Sequence, residues 1–278
     1  MSSFTNYDDV SNSYDVYRRA SNMDLLIGMT THLTGKCLDE MSVLDAGCGT
    51  GNYALGLLDA GLGRITMMDG SDGMLKTAHM KTANYQSIAE YRLARLPQLP
   101  FPDESFDVVM FNQVLHHLSD SSKPDGRYPV VRETLAEAIR VLKKGGVIVI
   151  DTCSHDQVRH GYWFNDVLGI TEQYMSLYPP LPLLRQVLSN GGCTTIQAYV
   201  QPDVVLMDYA MYSDVEGSLQ ASWRKADSCF SLSSQEQIES FCQKITKMKN
   251  ENTLKAFFEE CEQERLTFGQ STTIFARK

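Results

Sequence analysis

Residues 43–52 read Val-Leu-Asp-Ala-Gly-Cys-Gly-Thr-Gly-Asn. A short apolar run carrying Asp45 leads directly into Gly47, Gly49 and Gly51, with Asn52 next. Those residue types describe a buried strand that ends in a glycine-dense turn and feeds a helix. Backbone without Cβ atoms lets a ligand come close, and N–H groups at the start of a helix can hold its polar atoms. The plain alternative is a tight turn with no ligand. A dinucleotide fingerprint needs Gly-x-Gly-x-x-Gly. Here the third glycine comes one residue early, which argues against a nicotinamide oxidoreductase. Asp69 is a second candidate, twenty residues beyond Gly49 at the end of another apolar run. A carboxylate there can accept hydrogen bonds from both hydroxyls of a ribose; taken alone it could instead cap a helix. A third group, Asn112-Gln113-Val114-Leu115-His116-His117-Leu118, follows the apolar run 106–112. His116 has an intrinsic pKa near neutrality and could act as a general base, or it could simply pack in a helical turn. Adjacent residues on a helix point apart, so the histidine pair is not read as a metal site.

These groups need a frame, and the chain supplies one from residue 42 onward. Strands are expected at 42–45, 64–69, 88–95, 106–112 and 147–151. Helices are expected at 52–60, 72–82 and 128–142, the last with Val131, Leu135, Ala138, Ile139 and Leu142 on one face and stopped by Gly145-Gly146. The uninterrupted apolar run 106–112 suits a strand buried on both faces. Such alternation predicts an α/β, doubly wound parallel sheet with helices on both faces. Ligands of open α/β sheets lie at the carboxyl ends of the strands, where all three groups fall. Two more strands are expected at 194–200 and 271–277. The roughly seventy residues between them are too many for a hairpin loop and carry helical signals. Ser233-Ser234-Gln235-Glu236 reads as a capping box for a helix to Met248, and a second helix is expected over 252–265.

The 278 residues are 43% hydrophobic, enough for one sizeable core with an appended subdomain. A net charge of -9 disfavours a nucleic-acid substrate. There is no apolar run long enough to span a membrane, and the first residues lack a signal-peptide pattern, so no membrane partner and a cytoplasmic location are expected. Seven scattered cysteines with no Cys-x-x-Cys read as reduced thiols, with no metal centre.

The glycine run resembles motif I of class I S-adenosylmethionine-dependent methyltransferases. The segment Leu99-Pro100-Phe101-Pro102-Asp103-Glu104-Ser105-Phe106-Asp107-Val108-Val109 is similar to the signature of the ubiquinone-biosynthesis-like group, as is Leu115-His116-His117-Leu118. The resemblance implies a Rossmann-like, seven-stranded, mostly parallel sheet. It implies S-adenosylmethionine as cofactor and S-adenosylhomocysteine as product. Under it, residues 1–41 form N-terminal lid helices, 42–200 with 269–278 the core, and 201–268 a helical insert over the acceptor. It sets Asp45, Gly47, Gly49, Gly51 and Asn52 around the methionine part of the cofactor and Asp69 at the ribose. Gly70, Ser71 and Met74 line the adenine, and Asn112 and Gln113 lie beside the methionine part. Where the family usually has an aspartate followed by a small residue near the adenine amino group, this chain has Arg95-Leu96. Arg95 cannot accept a hydrogen bond; either backbone at Leu96 takes that contact or Arg95 stacks on the ring.

The segment from Tyr7 to Arg19 is similar to the family's entry helix. There Tyr14 would lie near the sulfonium, and Arg18 or Arg19 would pair with the methionine carboxylate. His116, with Tyr14 or Tyr7, is the candidate catalytic pair. On the acceptor side, His117, His155, Tyr162, Trp163 and Tyr178 are candidates, with His160 and Tyr174 nearby. An aromatic lining suits an aromatic or cationic amine acceptor; the alternative is that these rings form the core of a small helical subdomain. The resulting expectation is transfer of a methyl group to oxygen or nitrogen of a small molecule. The competing expectation is a methyltransferase-like binding protein without catalysis. The oligomeric state is left open.

Overall fold

Seven segments pair into one sheet in the computed structural model, which describes residues 18–119, 126–225 and 227–278. The strands are β1 (Ser42–Ala46), β2 (Arg64–Asp69), β3 (Ala89–Leu93), β4 (Phe106–Asn112), β5 (Leu142–Thr152), β6 (Thr195–Val200) and β7 (Thr272–Arg277). Their order is β3-β2-β1-β4-β5-β7-β6, and β7 alone runs antiparallel to its neighbours. The expected Rossmann-like sheet is therefore present. The chain winds outward through β2 and β3 on one side of β1 and through β4 and β5 on the other. That reversal between β1 and β4 opens a crevice at their carboxyl ends.

β4 shows why the sheet sits where it does. Phe106, Val109 and Phe111 pack on one face, against Val131, Leu135, Ala138 and Val141 of α4 (Pro129–Val141) and Leu184 and Leu188 of α8 (Leu181–Asn190). Val108 and Met110 pack on the other, against α1 (Met23–Thr34), α2 (Asn52–Asp59) and α3 (Asp72–Lys81). A strand clothed on both faces is apolar where it is covered, as Val108–Phe111 are; the one buried charge in β4, Asp107, is paired with Lys36 at 2.6 Å and Lys143 at 2.9 Å. The remaining helices are α5 (His155–His160), α6 (Trp163–Leu168), α7 (Thr171–Met175), α9 (Tyr209–Ser213), α10 (Ala221–Arg224), α11 (Cys229–Leu232), α12 (Gln235–Asn250) and α13 (Leu254–Phe268). α5 to α7 and α9 to α13 share a third apolar core and form a cap.

Several boundaries differ from the sequence expectation. The fourth helix ends at Val141, and the fifth strand begins at once with Leu142 rather than at 147. Leu142 pairs with Phe106, and pairing then shifts register across Gly145 to Val147 opposite Val108. Gly145 has φ +76°, so the glycine pair bends a strand instead of stopping a helix. The capping box uses Ser234 and Gln237, one residue later than expected. The final long helix runs to Phe268. Of the segment expected to form a lid, α1 packs with Leu26 in the core beneath β1, β4 and β5, as a structural helix of the sheet. Tyr7 and Tyr14 lie outside the described residues. The insert between the last two strands is helical, and its core is completed by α5 to α7, which precede β6.

Candidate functional site

A cleft of ≈ 730 Å³, its mouth included, opens at the carboxyl ends of β1, β2 and β4. Gly47, Gly49, Asp69, Gly70, Ser71, Met74, Arg95, Leu96, Asn112, Gln113 and His117 line it, so the structure gathers most of the expected site residues around one space. Met68, Ala94, Val114 and Leu118 complete the wall. None of the four has a chemically active side chain, although Val114 and Leu118 belong to the segment 112–118. Only their position one step from a signature residue could have pointed to them.

Asp69 ends β2 and is fixed by the turn opposite. Its Oδ2 accepts from Gly49 N–H at 2.9 Å and its Oδ1 from Ser71 N–H at 2.9 Å. Each oxygen keeps a lone pair for a ligand donor. Burial raises its pKa, against the pull of those N–H groups. Ser71 also caps α3 by accepting from Met74 N–H.

The glycine turn is arranged differently from the expected cradle of free N–H groups. Gly47 and Cys48 both donate to Met68 O, at 2.7 and 3.0 Å, Gly49 donates to Asp69, and Gly51 donates to Cys48 O at 2.9 Å. The first three amides tie the turn to β2, the fourth closes the turn on itself, and all four are spent. The turn therefore shows a ligand bare Cα surface, which is unsuited to a pyrophosphate. A Cβ on Gly47 would lie 2.6 Å from Val114 Cγ2, while a Cβ on Gly49 would meet nothing within 4 Å except the cleft. Gly51 faces away from the cleft; a Cβ there would lie 3.1 Å from Ala78 Cβ, so it serves close packing of the turn on α3. Asn52 is likewise outside the lining. Its amide donates to Arg18 O at 3.1 Å and its oxygen accepts from Lys81.

Asp45 is 1% exposed, and neither carboxylate oxygen has a hydrogen-bond partner. Burial, then the nearby Asp69, push its pKa up to about 8. Asn112 opposes that rise, yet its amide nitrogen is itself buried and without an aligned acceptor. A carboxylate short of a donor beside an amide short of an acceptor complements the ammonium and carboxylate of an amino acid. Gln113 holds φ +55°, an unusual state for a side chain of its size, fixed by its N–H donating to Asp151 O at 2.9 Å. This turns the chain from β4 into the histidine pair.

His116 is buried, stacked on Tyr178 with ring centres 4.5 Å apart, and its Nδ1 has no partner. Burial, then the His117 and Arg18 charges, hold its pKa well below the usual histidine range. His117 is 3.9 Å away, centre to centre, and faces the cleft; burial lowers its pKa to about 3. Both rings are thus neutral at physiological pH.

The other expected acceptor residues sit behind this wall. His155 meets Tyr178 O through Nε2 at 2.9 Å, and Tyr162 donates to Gln270 O at 3.1 Å. Trp163 does not reach the cleft: it is 3% exposed among Phe164, Trp223, Phe241 and Phe257, and its indole N–H donates to Tyr212 O. Arg18 forms an ion pair with buried Asp227 at 2.8 Å, and Arg19 one with Asp208 at 3.0 Å, both in the cap. Neither cap aspartate stood out in the sequence, because ion pairs across some two hundred residues leave no local signal. Among the described residues no group of three His, Cys, Asp or Glu is placed to hold a metal, and no helix is long and apolar enough to cross a membrane.

Crevice, strand order and fixed carboxylate together define a class I nucleotide-type fold, and comparison with known proteins specifies it. Residues 44–150 match the family described as Methyltransferase domain. A demethylmenaquinone methyltransferase of Clavibacter sepedonicus is 32% identical over 192 residues, covering 67% of this chain and 69% of that protein. A malonyl-[acyl-carrier protein] O-methyltransferase of Serratia marcescens is 30% identical over 186 residues, covering 66% of this chain but 64% of that protein, under two thirds of its length. Among solved structures, a protein of Anabaena variabilis described as a methyltransferase from an antibiotic biosynthesis pathway superposes with TM-score 0.69 at 20% identity. It covers 91% of this chain and 96% of the other, a likeness of fold. The chain belongs to the class I S-adenosylmethionine-dependent methyltransferases. S-adenosylmethionine is the cofactor of that family.

Proposed function

We propose that the chain transfers a methyl group from S-adenosylmethionine to an oxygen or nitrogen of a small-molecule acceptor. The observation that carries this reading is a single cleft with a ribose-type carboxylate, Asp69, on one strand end and the unpartnered Asp45–Asn112 pair behind another. The residues suit the cofactor throughout. Asp69 would accept from the ribose hydroxyls. Gly70, Ser71 and Met74 would face the adenine from one side, with Ala94, Arg95 and Leu96 on the other. Gly47 and Gly49 would let the methionine part lie on bare backbone, with Asp45 and Asn112 meeting its ammonium and carboxylate. A cation there also restores Asp45 to its ionised form.

When bound, the cofactor supplies an electrophilic methyl on a sulfonium. The protein's contribution is alignment and exclusion of water, which for well-oriented reactants is worth about 7–11 kcal/mol. Gln113 and His117 border the end of the cleft where an acceptor would enter. His116 is neutral with no partner at Nδ1 but is not among the cleft-lining residues; it would act as the base only for an acceptor hydroxyl or amine that reaches its ring. Tyr14 remains its candidate partner. Tyr178 stacks on His116 and fixes its plane; Tyr162 and His155 support that wall. Arg18, with its guanidinium engaged by Asp227, serves to fasten the cap, and the methionine carboxylate is left to Asn112.

The test is to incubate the purified protein with methyl-labelled S-adenosylmethionine and a metabolite extract and to weigh the labelled product. One labelled small molecule is expected, with S-adenosylhomocysteine in equal amount. Saturable cofactor binding with no labelled product from any extract would instead favour a binding protein without catalysis.

A further inference from the structure

Arg140 belongs to α4 and is not among the cleft-lining residues, and no chemical motif marks it. Yet its guanidinium holds the 99–104 loop by three hydrogen bonds. Nη2 donates to Leu99 O at 2.9 Å, and Nη1 donates to Phe101 O at 2.9 Å and to Asp103 Oδ1 at 2.7 Å. Glu137, one helical turn earlier, accepts from Nε at 2.7 Å and from Nη2 at 2.8 Å, and its Oε2 also accepts from Leu99 N–H at 3.4 Å. The backbone carbonyl of Arg140 accepts from Glu104 N–H at 3.1 Å. At its other end the loop hangs from β2, through Ala94 N–H to Asp69 O at 3.0 Å. Between those two anchors lie Arg95 and Leu96, which line the cleft outside any strand or helix. They have no ladder of their own to hold them.

We infer that Arg140 is a positioning residue for cofactor binding: with Glu137 it clamps the 99–104 loop and so sets the Ala94–Leu96 wall against which the adenine is held. The inference rests on the proposed seating of the cofactor. A guanidinium presents its donors in one fixed plane, which two carbonyls and two carboxylates here use together. Lysine carries the same charge but can reach only part of that set.

The test is a titration of wild type and Arg140→Lys with S-adenosylhomocysteine and with methylthioadenosine, alongside steady-state kinetics once an acceptor is in hand. Loss of about two of the charge-assisted bonds is expected to raise both Kd values about tenfold. The loss should be equal for the two ligands, because both carry the adenine. kcat at saturating cofactor and the acceptor KM should stay within about twofold. Asp103→Asn, which weakens one exposed arm, should show a smaller shift in the same direction and serves if Arg140→Lys fails to fold. Unchanged Kd in folded variants would overturn the clamp, as would a kcat that falls as far as the affinity. Failure of wild type to bind either ligand would overturn the seating of the cofactor instead.

Discussion

Under the proposed seating of the cofactor, Asp45 and the two cleft glycines are single residues that give up stability for a ligand. The native fold keeps the Asp45 proton up to about pH 8, whereas an unfolded chain releases it near the ordinary carboxylate value of about 4. As pH rises between those values the unfolded state binds fewer protons than the native state, so stability falls. Asp45→Asn should therefore raise the thermal midpoint of the free protein more at pH 8 than at pH 5, and should blunt the further rise given by S-adenosylhomocysteine. Equal shifts at both pH values, measured by scanning calorimetry, would show that Asp45 is not held protonated. The glycines separate packing from binding. Both have positive φ, so alanine costs about 1 kcal/mol at either. At Gly47 the Cβ also strikes Val114, adding about 1–3 kcal/mol of overpacking. Gly47→Ala should thus melt well below wild type. Gly49→Ala should melt close to wild type and lose cofactor affinity, because its methyl enters the cleft.

At the scale of elements, Trp163 makes the clearest case. In sequence it stands in an aromatic stretch that suited an acceptor pocket. In the fold it is an inner residue of the cap, with its N–H already bonded. Trp163→Ala should cost about 3–5 kcal/mol of stability, read by denaturant unfolding, with no selective rise in acceptor KM at temperatures where the variant is folded. The contrast with β2 and β4 explains what could be read beforehand. Those strands carry mostly apolar runs closed by Asp69 and Asn112, and they occur at 64–69 and 106–112 as expected. Strand ends and site residues coincide there, so locating the strand locates the chemistry. The cap offers no such handle. α6 and α7 are six and five residues long, too short for helical periodicity to separate a buried ring from a pocket-facing one. The start of β5 misled for another reason. Gly145-Gly146 normally ends elements, and only pairing with Phe106 on β4 extends the strand back to Leu142.

The whole molecule consists of a sheet that carries the cleft and a cap assembled from two stretches of chain on either side of β6. Arg18 joins them. Its backbone bridges Met207 in the cap and accepts from Asn52 on α2, while its side chain pairs with Asp227. Asp227 is 4% exposed and Arg18 20%, so neutralising the carboxylate removes a largely buried charge pair that fastens the cap. Asp227→Asn should speed proteolytic cleavage within residues 203–266 while the sheet stays protected from hydrogen exchange. Uniform loss of protection across both parts would mean that cap and sheet unfold as one.

Seating of S-adenosylmethionine in the cleft beside Asp69 is the central claim, and a calorimetric titration tests it most directly. Wild type should bind S-adenosylhomocysteine at a single site. Asp69→Ala removes the acceptor proposed for the two ribose hydroxyls and should weaken binding by about 10–100-fold, with the protein still folded by circular dichroism. Equal affinity in a folded Asp69→Ala variant, or no saturable binding in wild type, would contradict the account.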